Sequence, residues 1–202
     1  MEKQLLVSEI FYSLQGEGFR AGQPTTFIRL QGCKAKGACY AAGIRCDTEF
    51  ESGKEANVAD LIEFAKLTGC PWVTWTGGEP LDQLTTDIVE AFREAGFKQS
   101  IETSGLHALP EGMVLDWVVV SPKVAEHVIA KNFPDGVDEL RYVRHKGQEI
   151  PRPSVKAKYK CISPHSDGFT INHENVQHCV RLCMENPSWH LSVQQHKQWQ
   201  VL

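Results

Sequence analysis

The chain has 202 residues, 42% of them hydrophobic; that length suits one domain with a sizeable core, and no Pro/Ser-rich linker or shift in composition divides residues 1–202. A formal charge of -4 offers no basic footprint for nucleic acid, so the expected partner is a small molecule rather than a nucleic acid. The N-terminal Met1-Glu2-Lys3-Gln4-Leu5-Leu6-Val7 lacks the hydrophobic core of a signal peptide and no window approaches a membrane span, which predicts a cytoplasmic protein without a membrane partner.

In chain order, strand-like runs fall at Leu5 to Phe11, Thr25 to Leu30, Trp72 to Trp75, Ser100 to Glu102, Trp117 to Val120, Glu139 to Val143, Tyr159 to Ile162 and Leu191 to Gln194. Helices interleave with most of them. Val58, Leu61, Ile62 and Ala65 recur at helical spacing behind Asn57, a capping residue, and Leu84, Ile88, Ala91, Phe92 and Ala95 mark a second helix that Gly96 ends. A third runs from Glu174 to Glu185 behind Asn172 and His173, with Val176, Cys179, Val180 and Cys183 on one apolar stripe.

Short apolar strands alternating with helices predict an α/β fold with a mainly parallel sheet and helices on its outer face. Ligands of such sheets and barrels collect at strand C-termini. Thr76-Gly77-Gly78-Glu79, Glu102-Thr103-Ser104-Gly105 and Ser121-Pro122-Lys123 each begin where a predicted strand ends, and a cysteine loop follows the strand ending at Leu30. Four polar segments therefore share one rim.

Seven cysteines in a cytoplasmic chain point to metal ligation or reduced core thiols, because that compartment disfavours disulfides. Cys179 and Cys183 read as core thiols on their helix, and Cys70 and Cys161 lack a partner at ligand spacing. Cys33, Cys39 and Cys46 remain. Three thiolates closing on one point leave a coordination position open, and an iron-sulfur cluster held that way can bind an exogenous ligand at its unique iron. By itself the triad fits zinc equally, with His107 or His127 completing a Cys3His set. Read singly, Arg29 is a surface or salt-bridged arginine, Thr48 a turn residue and His165 a loop residue. Lys156, Lys158 and Lys160 form the solvated face of an edge strand, and Asp135 and Asp138 are likewise solvated.

Ser13-Leu14-Gln15-Gly16-Glu17-Gly18, Phe27-Ile28-Arg29-Leu30-Gln31-Gly32-Cys33, Cys46-Asp47-Thr48, Thr76-Gly77-Gly78-Glu79-Pro80, Ile101-Glu102-Thr103-Ser104-Gly105, Val120-Ser121-Pro122-Lys123 and Leu191-Ser192-Val193-Gln194-Gln195-His196-Lys197 occur in that order. Together they resemble the 7-carboxy-7-deazaguanine synthase family, over nearly the whole chain. The resemblance implies an incomplete (β/α) barrel of the radical S-adenosylmethionine type, usually a homodimer. It implies a 4Fe-4S cluster, S-adenosylmethionine and Mg2+ as cofactors and an external flavodoxin-like or ferredoxin-like electron donor. The implied reaction converts 6-carboxy-5,6,7,8-tetrahydropterin to 7-carboxy-7-deazaguanine with loss of ammonia, in 7-deazapurine biosynthesis of the queuosine type.

By matched position, Cys33 and Cys46 correspond to the first and third cluster ligands and Thr48 to the magnesium contact. Leu14, Gln15, Gly16, Arg29 and Thr76 correspond to substrate contacts, joined by the terminal carboxylate of Leu202. Gly78, Glu79, Ser121, Pro122, Lys123 and Asp47 correspond to S-adenosylmethionine contacts, with the Glu79 carboxylate offsetting the ligand's ammonium. The cysteine spacing departs from the common C-x3-C-x2-C pattern: here it is C-x5-C-x6-C, with Gly43 where a thiol is usual, and Cys39 is the one thiol between Cys33 and Cys46. Arg45 stands where an aromatic or aliphatic residue commonly packs on adenine, a contact Ile44 can take over. Two rivals share parts of the pattern. An activase of glycyl radical enzymes needs the cluster and Gly77-Gly78-Glu79 but not Gln15-Gly16-Glu17-Gly18, and a zinc-stabilised binding module needs only the thiols.

Overall fold

A computed structural model describes residues 3–41, 50–166, 168 and 170–201. Gln4–Leu14 (β1) and Pro24–Leu30 (β2) form an antiparallel hairpin, and Lys54–Asn57 (β3) lies antiparallel on the other side of β1. From β2 onward every pairing is parallel, through β4 (Trp72–Gly77), β5 (Lys98–Thr103), β6 (Trp117–Val120), β7 (Val137–Arg144), β8 (Ala157–Pro164) and β9 (His190–Leu191). The order is β3-β1-β2-β4-β5-β6-β7-β8-β9, so the edges β3 and β9 do not meet and the barrel is incomplete. The helices are α1 (Lys36–Ala41), α2 (Val58–Thr68), α3 (Thr86–Glu94), α4 (Glu126–Asn132), α5 (His173–Glu185) and α6 (Gln195–Trp199).

Alternation along the strands sorts the two faces of the sheet. Val73 and Trp75 on β4 and Ile101 on β5 join the apolar core with Leu61 and Ala65 of α2 and Ile88 and Phe92 of α3. Each such large side chain taken out of water contributes roughly 1.5–3 kcal/mol. Trp75 meets Phe92 edge to face at 4.8 Å and donates its indole N–H to Gln99 Oε1 (2.9 Å), whose amide donates in turn to the Val89 carbonyl (2.8 Å). The intervening residues turn inward. Thr25, Thr74 and Ser100 form a chain of hydroxyls at 2.8 Å each, closed by Arg20 Nη1 donating to Ser100 Oγ at 3.1 Å. Arg20 belongs to the β1–β2 loop and lies over the Trp72 ring at 3.6 Å, so that loop plugs the end of the barrel where the parallel strands begin.

Several elements differ from expectation. β3 reads Lys-Glu-Ala-Asn, too polar to register as a strand, and it forms because the β1 backbone offers it a ladder. The last strand is two residues long: Ser192 N still donates to the Ile162 carbonyl (2.8 Å), but Gln195 N donates to the Gly16 carbonyl (2.9 Å), which turns the chain across the barrel into α6. Asp138 is no solvated residue. It accepts from Val118 N at 2.8 Å and Lys158 Nζ at 2.6 Å, clamping β7 to both neighbours, and β8 is an internal strand. The buried face of α5 is Asn175, Cys179 and Leu182 rather than the Val176–Val180 stripe. Asn175 tolerates burial because its amide donates to the His165 carbonyl and its oxygen accepts from Lys146 N, both at 2.8 Å. Asn172 caps α5 by accepting from Asn175 N at 3.1 Å, whereas the Asn57 side chain makes no cap bond and accepts from Gln4 instead. Among the described residues no helix is long and apolar enough to cross a membrane.

Candidate active site

Cys33 lies three residues beyond β2 and Cys39 on α1, both partly exposed on the C-terminal rim. The base of their loop is pinned: Gly32 N donates to the Phe50 carbonyl (2.8 Å), Gln31 Nε2 donates to the Glu51 carbonyl (2.6 Å), and Lys36 pairs with Glu51. Cys46, Asp47 and Thr48 lie outside the described residues, as do Gly43, Ile44, Arg45 and Leu202. Burial pushes the Cys33 thiol up from its ordinary value, an Ala35 backbone bond opposes it, and the nearby Glu79, Cys39 and Asp82 add to the rise. Among the described residues no three His, Cys, Asp or Glu side chains are set to hold a metal ion.

The Gly-Gly-Glu turn packs directly on this loop. Gly77 has φ +115°, and a Cβ at Gly78 would sit 1.7 Å from the Gly32 carbonyl oxygen and 3.1 Å from Cys33 Cβ. Glycine is required here because the chain's own cysteine loop approaches the turn. Glu79 N donates to the Gly32 carbonyl at 2.9 Å. The Glu79 carboxylate is turned into the protein. It is fully buried, with Oε1 accepting from Thr103 Oγ1 (2.7 Å) and Leu81 N (3.2 Å), and Oε2 accepting from Ser104 N (2.8 Å) and the Ser104 hydroxyl. Ser121 N donates to the Thr103 carbonyl (2.8 Å), Lys123 N to the Ser104 carbonyl (3.1 Å), and Lys123 Nζ to Ser121 Oγ (3.0 Å), while Pro122 is half-buried between them. The four polar segments are thus one hydrogen-bonded rim.

Below it lies a cavity of about 560 Å3, whose lining includes Leu14, Gln15, Gly16, Arg29 and Thr76. Arg29 and Thr76 are register partners across β2 and β4 and point inward together. Arg29 Nε is 3.2 Å from Glu9 Oε2. A β-bulge between Val7 and Glu9 shifts the register of β1 where Ser8 and Glu9 line the cavity. The C-terminal segment closes one side through His196, Lys197 and Val201, and a Cβ at Gly16 would fall 2.0 Å from His196 Nδ1. Val201 precedes Leu202 in the chain.

The cavity-lining Glu17 and Glu102 are held by a residue that motif reading overlooked. Arg141 on β7, 4% exposed, donates to Glu17 Oε2 (2.7 Å), Glu139 Oε1 (3.0 Å) and Glu102 Oε1 (3.4 Å); Gln15 Nε2 also donates to Glu102 Oε1 (2.8 Å). Burial works against the Arg141 charge, but the carboxylates of Glu102, Glu139 and Glu17 outweigh it and hold its pKa well above the ordinary value. The available signal was charge at alternate strand positions, Ser100/Glu102 and Glu139/Arg141, which places polar groups on one inward face.

The remaining thiols are buried or partly so and stand apart from the rim: Cys161 on β8, Cys179 and Cys183 on α5, and Cys70 donating to the Pro24 carbonyl at 3.3 Å. His107 pairs with Asp82 Oδ1 at 2.9 Å, His127 is exposed on α4, and His165 stacks on His145 at 4.1 Å.

An unclosed, mainly parallel sheet with a cysteine loop locked against a Gly-Gly-Glu turn on its C-terminal rim is the architecture of the radical S-adenosylmethionine class. The crystal structure of QueE from Escherichia coli has this fold, with a TM-score of 0.69 at 23% identity over 96% of this chain and 95% of that one. No family model matches the chain. Curated relatives named 7-carboxy-7-deazaguanine synthase include those of Bacteroides thetaiotaomicron, 36% identical with 95% of each chain covered, and Nitratidesulfovibrio vulgaris, 33% identical over 95% of this chain and 96% of the relative. The chain belongs to the 7-carboxy-7-deazaguanine synthase family and is an enzyme, a lyase.

Proposed function

We propose that this enzyme converts 6-carboxy-5,6,7,8-tetrahydropterin to 7-carboxy-7-deazaguanine with loss of ammonia, dependent on Mg2+, in the cytoplasm and as a homodimer supplied with electrons by a flavodoxin-like or ferredoxin-like donor. The observation that carries this reading is one cavity, about 560 Å3, that gathers Leu14 of β1, Gln15 and Gly16 of the loop after it, Arg29 of β2 and Thr76 of β4. Its size is that of a small-molecule site.

Cys33 and Cys39, partly exposed on the rim, offer soft thiolate donors that fit an iron-sulfur cluster, and Cys46 supplies the third. When bound, the cluster and S-adenosylmethionine together supply the radical chemistry that removes hydrogen from the pterin carbon bearing the carboxylate. Gly78, Glu79, Ser121, Pro122, Lys123 and Asp47 hold the S-adenosylmethionine, and the inward bonds of the Glu79 carboxylate to Thr103 and Ser104 fix the shape of the turn. Arg29 offers a planar cation for the substrate carboxylate, and Thr48 offers a hydroxyl to Mg2+, a hard ion that takes oxygen ligands. Glu17 and Glu102, anchored by Arg141, line the floor and present carboxylate acceptors there.

The test is anaerobic reconstitution with iron and sulfide, followed by incubation with S-adenosylmethionine, reductant, Mg2+ and the carboxylated tetrahydropterin, with the product identified by mass. Formation of 7-carboxy-7-deazaguanine and ammonia is expected. A fully reconstituted enzyme that cleaves S-adenosylmethionine but leaves the pterin unchanged would overturn the substrate assignment.

A further inference from the structure

We propose that Asp82 is a positioning residue for the cysteine loop, acting on Cys33 through the Lys34 amide and held in place by His107; this rests on the reading of Cys33 as a cluster ligand. Asp82 ends the short 3-10 turn Pro80–Asp82 that follows Glu79. Its Oδ2 accepts from Lys34 N at 3.0 Å, while Oδ1 lies 2.9 Å from His107 Nε2 and 3.4 Å from Lys34 Nζ. The side chain is only 9% exposed although its turn sits on the surface rim.

The same turn holds the other side of Cys33. Glu79 N donates to the Gly32 carbonyl at 2.9 Å. The peptide unit before Cys33 and the one after it are therefore both tied to residues 79–82, which fixes the φ and ψ of Cys33 and leaves its χ1 as the freedom of the sulfur. Glu79 and Asp82 divide the work in opposite directions: Glu79 reaches inward to Thr103 and Ser104, Asp82 reaches outward to the loop. His107 comes from the same segment as Ser104, so the connection after β5 braces both carboxylates. Such a brace suits a ligand whose sulfur must hold one position on a loop that spans the distance from Gly32 to Phe50. Groups that orient a metal's ligands commonly change metal affinity by about 10- to 100-fold when removed.

The experiment compares wild type with Asp82→Ala, Asp82→Asn and His107→Ala, using the exposed Glu63→Ala as a surface control. Each reconstituted protein is challenged anaerobically with an iron chelator, the reduced cluster is recorded by electron paramagnetic resonance, and Lys34 amide exchange is measured in the apo-protein. Asp82→Ala is expected to lose iron about 10- to 100-fold faster, with an altered resonance signal and faster Lys34 exchange. Asp82→Asn retains an acceptor for the Lys34 amide and should restore slow loss, and His107→Ala should fall between. Wild-type iron loss and an unchanged signal in Asp82→Ala would overturn the proposal. So would a loss that tracks a lowered melting temperature shared by Asp82→Asn. A wild-type protein that takes up no cluster would overturn the reading of Cys33 itself, and this proposal with it, by a signature distinct from both.

Discussion

Glu79 is a carboxylate whose four acceptor positions are all used inside the protein, by Thr103, Leu81 N and both donors of Ser104. Glu79→Gln puts an NH2 where an acceptor is needed, leaving a buried donor facing a donor. The expected loss is about 1–3 kcal/mol, read as a lower urea midpoint, and an unchanged midpoint would mean that the network does not hold the turn. Arg29 makes a different prediction, because the partner proposed for it is the substrate carboxylate. Its ion pair with Glu9 is a single contact at 3.2 Å, and Glu9 is 42% exposed, so the guanidinium keeps donors for a ligand. Arg29→Ala should weaken pterin binding by about 2–5 kcal/mol while cluster content stays at the wild-type level, with Arg29→Lys rescuing only in part. Anaerobic calorimetry with the pterin checks this; undiminished affinity would remove Arg29 from the substrate site.

At the scale of elements, α5 packs on β8 through thiols that the chemistry does not use. Burial pushes Cys161 and Cys179 up to about 12, with the nearby Glu139 adding to Cys161 and Cys183 adding to Cys179. Their folded values lie above the unfolded one, so their contribution is fully present below the ordinary thiol pKa and is lost as pH rises toward about 12. Melting temperature should therefore fall on the alkaline side, and the fall should flatten in a Cys161→Ala, Cys179→Ala double variant. Neutral alkylation of the native enzyme should spare both thiols, and rapid labelling of either would contradict the packing. The helical spacing of Cys179 was legible in the sequence. The rotation that buries Asn175 in place of Val176 was not, because it depends on the backbone groups of His165 and Lys146 that only the folded β7 and β8 connections present.

Across the whole molecule, Arg141 joins parts of the chain that lie far apart, bonding the loop after β1, β5 and its own strand β7 at the centre of the barrel. Removing it leaves uncompensated carboxylates in a buried place, so Arg141→Met should cost about 3–5 kcal/mol in denaturant unfolding. A neutral outcome would show that the guanidinium offsets no more than the cost of its own burial.

The sequence by itself determined the α/β alternation and the rim, since strand period and strand ends are local properties, while the grouping of Leu14, Gln15, Gly16, Arg29 and Thr76 was implied by the order of the family-like motifs and the fold lines one cavity with them. It could not show the inward course of Glu79, the clamp made by Asp138, the brace at Asp82 or the hub at Arg141. Each of these is a charged side chain whose partner is remote in the chain: Thr103 for Glu79, Val118 for Asp138, Lys34 for Asp82, Glu17 for Arg141. Such a residue reads as solvated in one dimension. Only curving the sheet around a common interior decides that its charge is met within the protein, because burial and pairing are properties of the neighbours that folding supplies.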